Sequence, residues 1–230
     1  MTQNPDDLID SLLDAALMHV PFDGWSETTF RAAAADAGID RTMARAVCPR
    51  GAMDLALAYH ARGDAAMVER IKTEELPERF RDKVAAAVRF RIEAITDKEA
   101  VRRGTTLFAL PTHAADGTRA IWGTADAIWT ALGDTSEDVN WYTKRATLSG
   151  VYGATVLFWL GDDSIDNQAT WEFLDRRIDN VMQIEKVKAH VRENKALSAL
   201  FAGPNWFLGQ IKAPSKARSD MPGSWGSPRP

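Results

Sequence analysis

Four histidines and one cysteine are the side chains of this 230-residue chain best suited to catalysis or metal binding, and they are scattered. Helical di-iron proteins take ligands from Glu-x-x-His pairs, but none of His19, His60, His113 and His190 has a glutamate three residues before it. The sequence also lacks His-Glu-x-x-His, Gly-x-Ser-x-Gly and a glycine-rich phosphate loop. We therefore expect no enzymatic activity, no metal and no cofactor.

The remaining reactive side chains have structural interpretations. Asp162 and Asp163 are interpreted as part of a turn rather than as a catalytic carboxylate pair. His60 follows a tyrosine on an apolar segment and is interpreted as a packed core residue. Cys48 is the one cysteine, which excludes an internal disulfide and a zinc site built from several thiolates. A reducing compartment is expected.

The elements that must position these residues are all helical. Apolar side chains recur at helical spacing, and no strand-like alternation of useful length occurs. The short opening helices resemble a helix-turn-helix unit. Ser26 and Ser136 are expected to cap helices. The predicted helices span residues 5–19, 26–37, 41–47, 51–60, 78–95, 98–110, 118–132, 136–160 and 168–187.

Charge is distributed unevenly along the chain. Residues 1–60 carry nine acids and four arginines, a net charge of −5, which would repel a DNA duplex. From Lys186 onward the net charge is +6, which favours an anionic surface as the partner of that end. DNA binding is therefore not expected.

An apolar stripe near the C-terminus is flanked by Lys195 and Lys212. Such a helix can lie in a membrane interface, with its basic residues favouring anionic lipid. The alternative is a last helix packed on its own core or on a second subunit. We favour the membrane role and assign it to Leu197, Leu200, Phe201, Trp206, Phe207, Leu208 and Ile211.

Residues 146–160 form a run of 15 residues without a charge, short of the roughly 20 needed to cross a bilayer. We interpret it as a buried helix of a helical domain. Gly150 and Gly153 either allow close packing of a neighbouring helix or leave a slot for a long apolar ligand, and close packing is slightly favoured. Trp141 and Tyr142 at its start indicate contact with a ligand or a partner.

The segment Asp138-Val-Asn-Trp-Tyr-Thr-Lys-Arg-Ala146, together with Thr170-Trp-Glu-Phe-Leu-Asp-Arg-Arg177, resembles the ubiquinone-biosynthesis accessory protein family. The N-terminal residues 37–52 are similar to that family's opening. The resemblance implies a TetR-like all-α fold and a homodimer. It also implies a non-enzymatic protein that binds isoprenoid quinone intermediates or phospholipid and presents them to a late-step quinone hydroxylase. The alternative function is a TetR-type transcriptional regulator.

The resemblance implies roles for particular segments and residues. Asp138, Trp141 and Tyr142 match the surface that docks the hydroxylase. The chain is expected to be a bacterial member that is cytoplasmic and peripheral at the inner membrane. Apolarity and helix position select the lipid-binding candidates, which are Phe108, Trp122, Ile128, Trp129, Leu148, Val151, Tyr152, Thr155, Phe158 and Trp159.

Four regions are expected on these grounds. Residues 1–62 form a degenerate helix-turn-helix-like unit, and residues 63–188 form a helical lipid-binding and dimerisation domain. Residues 189–212 form an amphipathic membrane-binding helix. Residues 213–230 are rich in proline, serine and glycine and form a disordered tail.

Overall fold

The computed structural model describes residues 4–193, and the surroundings of side chains are described through residue 181. This part of the chain contains α-helices and one turn of 3-10 helix, and it contains no strand, which confirms the all-α prediction. The 3-10 turn is Ile165–Asn167. The helices are α1 (Pro5–Leu17), α2 (Val20–Asp23), α3 (Glu27–Asp36), α4 (Arg41–Val47), α5 (Ala52–Thr73), α6 (Phe80–Glu93), α7 (Lys98–Phe108), α8 (Ala114–Ala131), α9 (Val139–Leu160) and α10 (Gln168–Glu193).

The first core forms where α1 packs against α3, α4 and α5. Leu12, Leu13 and Phe30 fill it. The turn between α3 and α4 has Gly38 at φ +64°, a backbone conformation that costs glycine no steric strain. Asp40 then accepts from the Thr42 amide at 2.8 Å and caps α4. This arrangement confirms the predicted helix-turn-helix-like unit.

Helix α5 connects the two cores. Its first turns contribute Leu55 to the first core, and its last turns contribute Met67 and Ile71 to the second. The predicted end of this helix near residue 60 is wrong, because the helix continues for 13 further residues to Thr73. The expected boundary between residues 62 and 63 falls inside α5.

The second core lies among α5, α6, α8, α9 and α10. Val88, Ile92, Ile128 and Leu174 are buried there. Helix α10 is also tied to α6 by Arg81, whose Nε donates to Asp179 at 2.8 Å. The apolar stripes of several helices therefore meet in one layered bundle.

Two predicted helix starts need correction. Asp138, and not Ser136, caps α9, because the Asp138 carboxylate accepts from the Asn140 amide at 2.9 Å. The Ser136 hydroxyl instead donates to Asp134 at 2.8 Å. Helix α8 begins at Ala114 rather than at residue 118.

Two sequence predictions fall outside the described residues. These are the membrane-binding stripe between Lys195 and Lys212 and the tail 213–230. Among the helices of residues 4–193, none is both long and apolar enough to cross a bilayer.

Candidate functional site

A cavity of about 560 Å³ lies between the two cores. Its walls come from α5, α6, α7, α8 and α9, and most of the lining side chains are apolar. Phe108, Ile121, Val156 and Leu157 are among them. This volume and character fall within the range of small-molecule binding sites.

Four helix-interior glycines line this cavity, one from each of four helices. They are Gly63 of α5, Gly104 of α7, Gly117 of α8 and Gly153 of α9. Glycine inside a helix costs roughly 0.5–1 kcal/mol relative to alanine, so four such positions on one surface represent a substantial loss of helix propensity. Because these positions have no side chain, they leave room in the cavity or let neighbouring groups approach the helix backbone closely.

The glycines serve two different purposes. A Cβ on Gly153 would have its nearest neighbour, Ile121 Cδ1, at the ordinary contact distance of 3.9 Å, so a side-chain carbon fits there without displacing anything. A Cβ on Gly63 would lie 2.5 Å from Arg91 Nη1, and one on Gly117 would lie 2.7 Å from Phe108 Cβ. Gly153 lines the cavity and leaves room for a Cβ, which favours the slot over close helix packing at that position, and a ligand in this slot stays a prediction.

A polar cluster lies at one wall of the cavity, and we define it as His60, Asp64, Arg91, Thr124 and Tyr152. His60, Arg91 and Tyr152 line the cavity itself, whereas Asp64 and Thr124 do not. Arg91 Nε donates to Asp64 at 2.5 Å, and Arg91 Nη2 donates to the His60 carbonyl at 3.0 Å. The Thr124 hydroxyl donates to the same Asp64 oxygen at 2.9 Å. The Arg91 side chain is only 4% exposed. The cluster joins α5, α6, α8 and α9.

The ionisation of this cluster follows from its burial. Burial lowers the pKa of His60 below its usual value, and the adjacent Arg91 charge lowers it further, whereas Asp64 acts in the opposite direction. Burial raises the pKa of the Tyr152 hydroxyl. His60 and Tyr152 are consequently neutral at pH 7, while Arg91 and Asp64 form an ion pair.

A second, smaller cavity of about 300 Å³ lies between α6, α8, α9 and α10. Phe80 stacks on Trp129 at its edge, with ring centres 5.6 Å apart. Lys144 Nζ lies 5.1 Å from the centre of the Trp129 ring. Within the described residues, the buried Nε1 of Trp129 has no hydrogen-bond partner.

The predicted lipid-binding residues fall into three groups. Phe108 and Tyr152 line the main cavity, whereas Trp129, Leu148 and Val151 line the smaller one. The others lie on neither lining. Among these, Ile128, Thr155 and Trp159 are buried in the helix packing, Trp122 lies 6.0 Å from the Trp141 ring, and Phe158 stacks on Phe173 at 4.5 Å.

Several cavity residues were missed from the sequence. The sequence predicts His60 to be a packed core residue and assigns no functional role to Arg91. An arginine within an otherwise apolar stripe and a glycine in the middle of a helix were the available signals. Neither showed that Arg91 and Gly63 meet, because they belong to different helices.

The predicted partner-binding residues lie together at the start of α9. Asp138 is exposed, and its carboxylate accepts from the backbone amide and the side-chain amide of Asn140. Trp141 and Tyr142 are half-buried and meet edge to face, with ring centres 4.8 Å apart. Trp122 of α8 extends this aromatic patch, which we define as Trp122, Trp141 and Tyr142.

The aromatic patch packs on a buried arginine that is paired with carboxylates. Arg145 donates to Asp126 at 2.5 Å and to Asp134 at 3.0 Å. Burial opposes ionisation of Asp134, but hydrogen bonds from Lys144, Ser136 and Arg145 outweigh it and lower its pKa to about 2. The Asp134 carboxylate at the junction between α8 and α9 therefore stays ionised at physiological pH.

Two arginines of the helix-turn-helix-like unit are already paired with carboxylates. Arg45 of α4 pairs with Glu27, and Arg50 pairs with Asp54 at 2.8 Å and Asp116 at 3.1 Å. Neither guanidinium is available for phosphate contacts without breaking those pairs. Within residues 4–181 there is also no cluster of three or more histidine, cysteine, aspartate or glutamate side chains that could hold a metal ion.

Comparison by sequence matches the chain to a family model and to curated proteins. Residues 114–185 match the COQ9 family model. The chain is 32% identical to "Ubiquinone biosynthesis protein COQ9, mitochondrial" of Drosophila melanogaster, over 76% of this chain and 55% of that protein. It is 30% identical to the Xenopus tropicalis protein of the same name, over 78% of this chain and 59% of that protein. The chain thus spans less than two thirds of the length of these curated relatives.

Comparison of structures gives a match to the TetR transcriptional regulator from Nitrosomonas europaea. The TM-score is 0.62, and the match covers 75% of this chain and 97% of that one. Identity is 16%, so the likeness concerns the fold. It confirms the predicted TetR-like architecture.

Proposed function

From the match to the COQ9 family model and to curated COQ9 proteins, we propose that the chain is a member of that family and a lipid-binding accessory protein of ubiquinone biosynthesis. It holds an isoprenoid quinone intermediate or another lipid in the main cavity and presents it to the hydroxylase that acts late on the quinone ring. The observation that carries the proposal is the 560 Å³ apolar cavity between α5 and α9.

The physical need for such a protein follows from the ligand. Each buried CH₂ is worth about 0.8 kcal/mol, so a polyprenyl chain is strongly retained by the bilayer. A protein that moves it must offer an apolar surface in exchange. The side chains of Phe108, Val156 and Leu157 provide such a surface in this cavity.

Docking of the hydroxylase is proposed for the aromatic patch together with Asp138. Trp and Tyr are the residue types enriched at the centres of protein interfaces. Trp141 and Tyr142 are half-buried, so each retains area that a partner can cover. Attachment to the inner membrane from the cytoplasmic side is proposed for the stripe between Lys195 and Lys212, on the sequence pattern alone.

The absence of catalysis is part of the proposal. The polar cluster has neutral His60 and an Arg91–Asp64 pair whose hydrogen bonds are directed at protein atoms. Its one hydroxyl beside the histidine is that of Thr124, 2.8 Å from His60 Nε2, and this hydroxyl donates to Asp64 rather than to the histidine. Turnover of a quinone precursor by the isolated protein would contradict this part.

Lipid uptake tests the central claim. The full-length protein is delipidated, incubated with liposomes containing a ubiquinone precursor, re-isolated and measured by native mass spectrometry. A mass increase equal to the precursor is expected. Protein that stays empty with every lipid, and that does not sediment with anionic liposomes, would contradict the proposal.

The TetR-type regulator is the alternative function, and the fold match favours considering it. It requires cationic contacts to phosphate, whereas Arg45 and Arg50 are already paired with carboxylates. A salt-sensitive mobility shift with neighbouring intergenic DNA would support the regulator instead.

A further inference from the structure

The smaller cavity is distinct from the main one, although α9 contributes to both. Val151 and Tyr152 are consecutive on that helix, yet Val151 lines the smaller cavity and Tyr152 lines the main one. The 300 Å³ of the smaller cavity is at the lower end of the range of small-molecule sites. It therefore suits a compact ligand rather than the long-chain lipid proposed for the main cavity.

Apolar side chains form most of the lining of the smaller cavity. Leu148, Val151 and Ile178 are buried residues of the second core, and all three line it. At its edge Phe80 stacks on Trp129 and is 49% exposed. A half-exposed aromatic ring beside an apolar cavity offers a surface on which another ring can stack or pack edge to face. The lining thus favours a ligand with an aromatic body.

The charged side chains of this lining select against a charged ligand. Among the described residues they are Arg81 and Lys144, and both are neutralised. Arg81 Nε donates to Asp179 at 2.8 Å, and its Nη1 lies 3.2 Å from Asp175. Lys144 donates to Asp134 at 2.7 Å. An anionic ligand would find no cation left to balance it, and a cationic ligand would lie beside two cations, so an uncharged ligand is favoured.

Lys144 retains one hydrogen-bond donor for a ligand. An ammonium group has three N–H donors. Lys144 Nζ donates one to Asp134 and one to the Ser136 hydroxyl, each at 2.7 Å. Within residues 4–181, no oxygen accepts from the third. Because Nζ lies 5.1 Å from the centre of the Trp129 ring, a ligand oxygen that accepts from it would lie beside the aromatic edge of the cavity.

We propose that the smaller cavity is a second ligand site, which binds a compact, uncharged aromatic carbonyl compound such as an aryl ketone. The aromatic body packs against Phe80, Trp129 and Leu148. The carbonyl oxygen accepts a hydrogen bond from Lys144 Nζ. This site goes beyond the proposed lipid-binding function, because its ligand occupies a different cavity and is selected by different residues.

Fluorine NMR of protein labelled with fluorotryptophan observes the two cavities separately, because Trp129 lines the smaller cavity and Trp25 lines the main one. The variants Trp129→Phe and Trp25→Phe assign the two resonances. Three probes of similar shape are titrated into the delipidated full chain. They are acetylnaphthalene, ethylnaphthalene, which lacks the oxygen, and naphthoate, which is anionic. The shift of the Trp129 resonance gives the dissociation constant of each probe.

Acetylnaphthalene is expected to shift the Trp129 resonance and to bind about tenfold tighter than ethylnaphthalene or naphthoate, as for one hydrogen bond from a charged donor. Lys144→Met removes the donor but keeps an apolar stem, so only the ketone should lose affinity. Equal affinities of ketone and hydrocarbon in the wild-type protein, or a Trp129 resonance that no probe moves, would overturn the site. Lipid uptake by the same protein, measured by native mass spectrometry, decides the proposed function separately.

A second pair of variants covers the case in which Lys144→Met does not fold. Thr147 is an exposed residue of the lining, so Thr147→Phe places a ring in the smaller cavity without replacing a core residue. The neighbouring Ala146 is exposed and lies on neither lining, which makes Ala146→Phe the matched control. Thr147→Phe should weaken acetylnaphthalene binding about tenfold or more, whereas Ala146→Phe should leave it unchanged. Equal binding by these two variants would show that the ketone binds elsewhere, and the inference would fail.

Discussion

The guanidinium carbon of Arg145 lies 4.0 Å from the centre of the Trp141 ring, one helical turn away on α9. Arg145 is itself buried and bonded to Asp126 and Asp134. The ring therefore lies on a cation that is anchored from the other side, which favours a fixed ring orientation. This contact relates the stability of the α8–α9 junction to the geometry of the aromatic patch.

Arg145→Met should lower the free energy of unfolding by about 3 kcal/mol or more, because Asp134 would be left buried without its arginine. Urea denaturation monitored by circular dichroism measures this loss. Asp126→Asn is the control. It removes a partner that is 44% exposed, and it should cost less than about 1 kcal/mol. Equal losses of unfolding free energy for the two variants would show that the buried Arg145–Asp134 pair is not the main stabilising interaction of the α8–α9 junction.

Trp141→Ala and Tyr142→Ala should each leave the protein folded, because both side chains are half-buried. Each should weaken association with the quinone hydroxylase about tenfold or more, as expected for an aromatic anchor. Surface plasmon resonance with the purified hydroxylase measures the change. Trp171→Ala on α10 is a matched half-buried tryptophan away from the patch, and it should have no effect on association. Loss of folding on either change would end the docking proposal.

The helices were predictable from the sequence because their signals are local. The start of α4 follows from Asp40, and the start of α3 follows from Ser26, which accepts from the Thr29 amide. The end of α5 was not predictable. Arg62, Gly63 and Asp64 have the composition of a connector, and only the contacts of Gly63 and Asp64 with Arg91 explain why the helix continues.

The site was less predictable than the fold because a cavity is formed by residues far apart in sequence. Apolarity and helix position selected Phe108 and Tyr152, which do line the cavity. The same criteria selected Ile128 and Thr155, which are fully buried but do not line the cavity. Periodicity identifies the inward face of a helix, but it does not show where two such faces lie far enough apart to leave a cavity.

Gly63→Ala should destabilise the protein by about 1–3 kcal/mol, because the new Cβ would lie 2.5 Å from an Arg91 guanidinium that its hydrogen bonds hold in place. Gly123→Ala is the matched control in the interior of α8. A Cβ there has nothing within 4 Å, so the variant should gain about 0.5–1 kcal/mol in helix propensity. Thermal denaturation compares the stabilities of the two variants. A gain in stability for Gly63→Ala would show that Arg91 is free to move.

Gly153→Leu should block lipid uptake without unfolding the protein. The new side chain extends from α9 into the cavity, where the nearest atom to its Cβ is 3.9 Å away. Gly150→Leu lies on the same helix, where a Cβ meets nothing within 4 Å, and it serves as the control outside the cavity lining. Native mass spectrometry after incubation with lipid measures the bound fraction. Equal uptake by both variants would mean that lipid binds elsewhere.

The stability of the protein should decline as the pH falls below about 6.5, the usual pKa of histidine. Burial and Arg91 lower the pKa of His60 in the folded protein, so at a pH between the folded and the usual value only the unfolded chain takes up the proton. Folding is thus favoured less as the pH drops through that window. Asp134 acts at lower pH. Its contribution is present above about 3.8 and is lost as the pH falls towards its folded pKa of about 2.

The contributions of His60 and Asp134 to the pH dependence of stability can be separated by mutation, because they act in different pH ranges. His60→Gln should remove the decline that begins near pH 6.5 while keeping the later loss at acidic pH. His113→Gln, at the N-terminal end of α8, should retain both. Urea denaturation midpoints measured from pH 7.5 to pH 3 give the comparison. A wild-type midpoint that stays level between pH 6.5 and pH 5 would show that His60 is protonated as readily in the folded protein as in the unfolded chain.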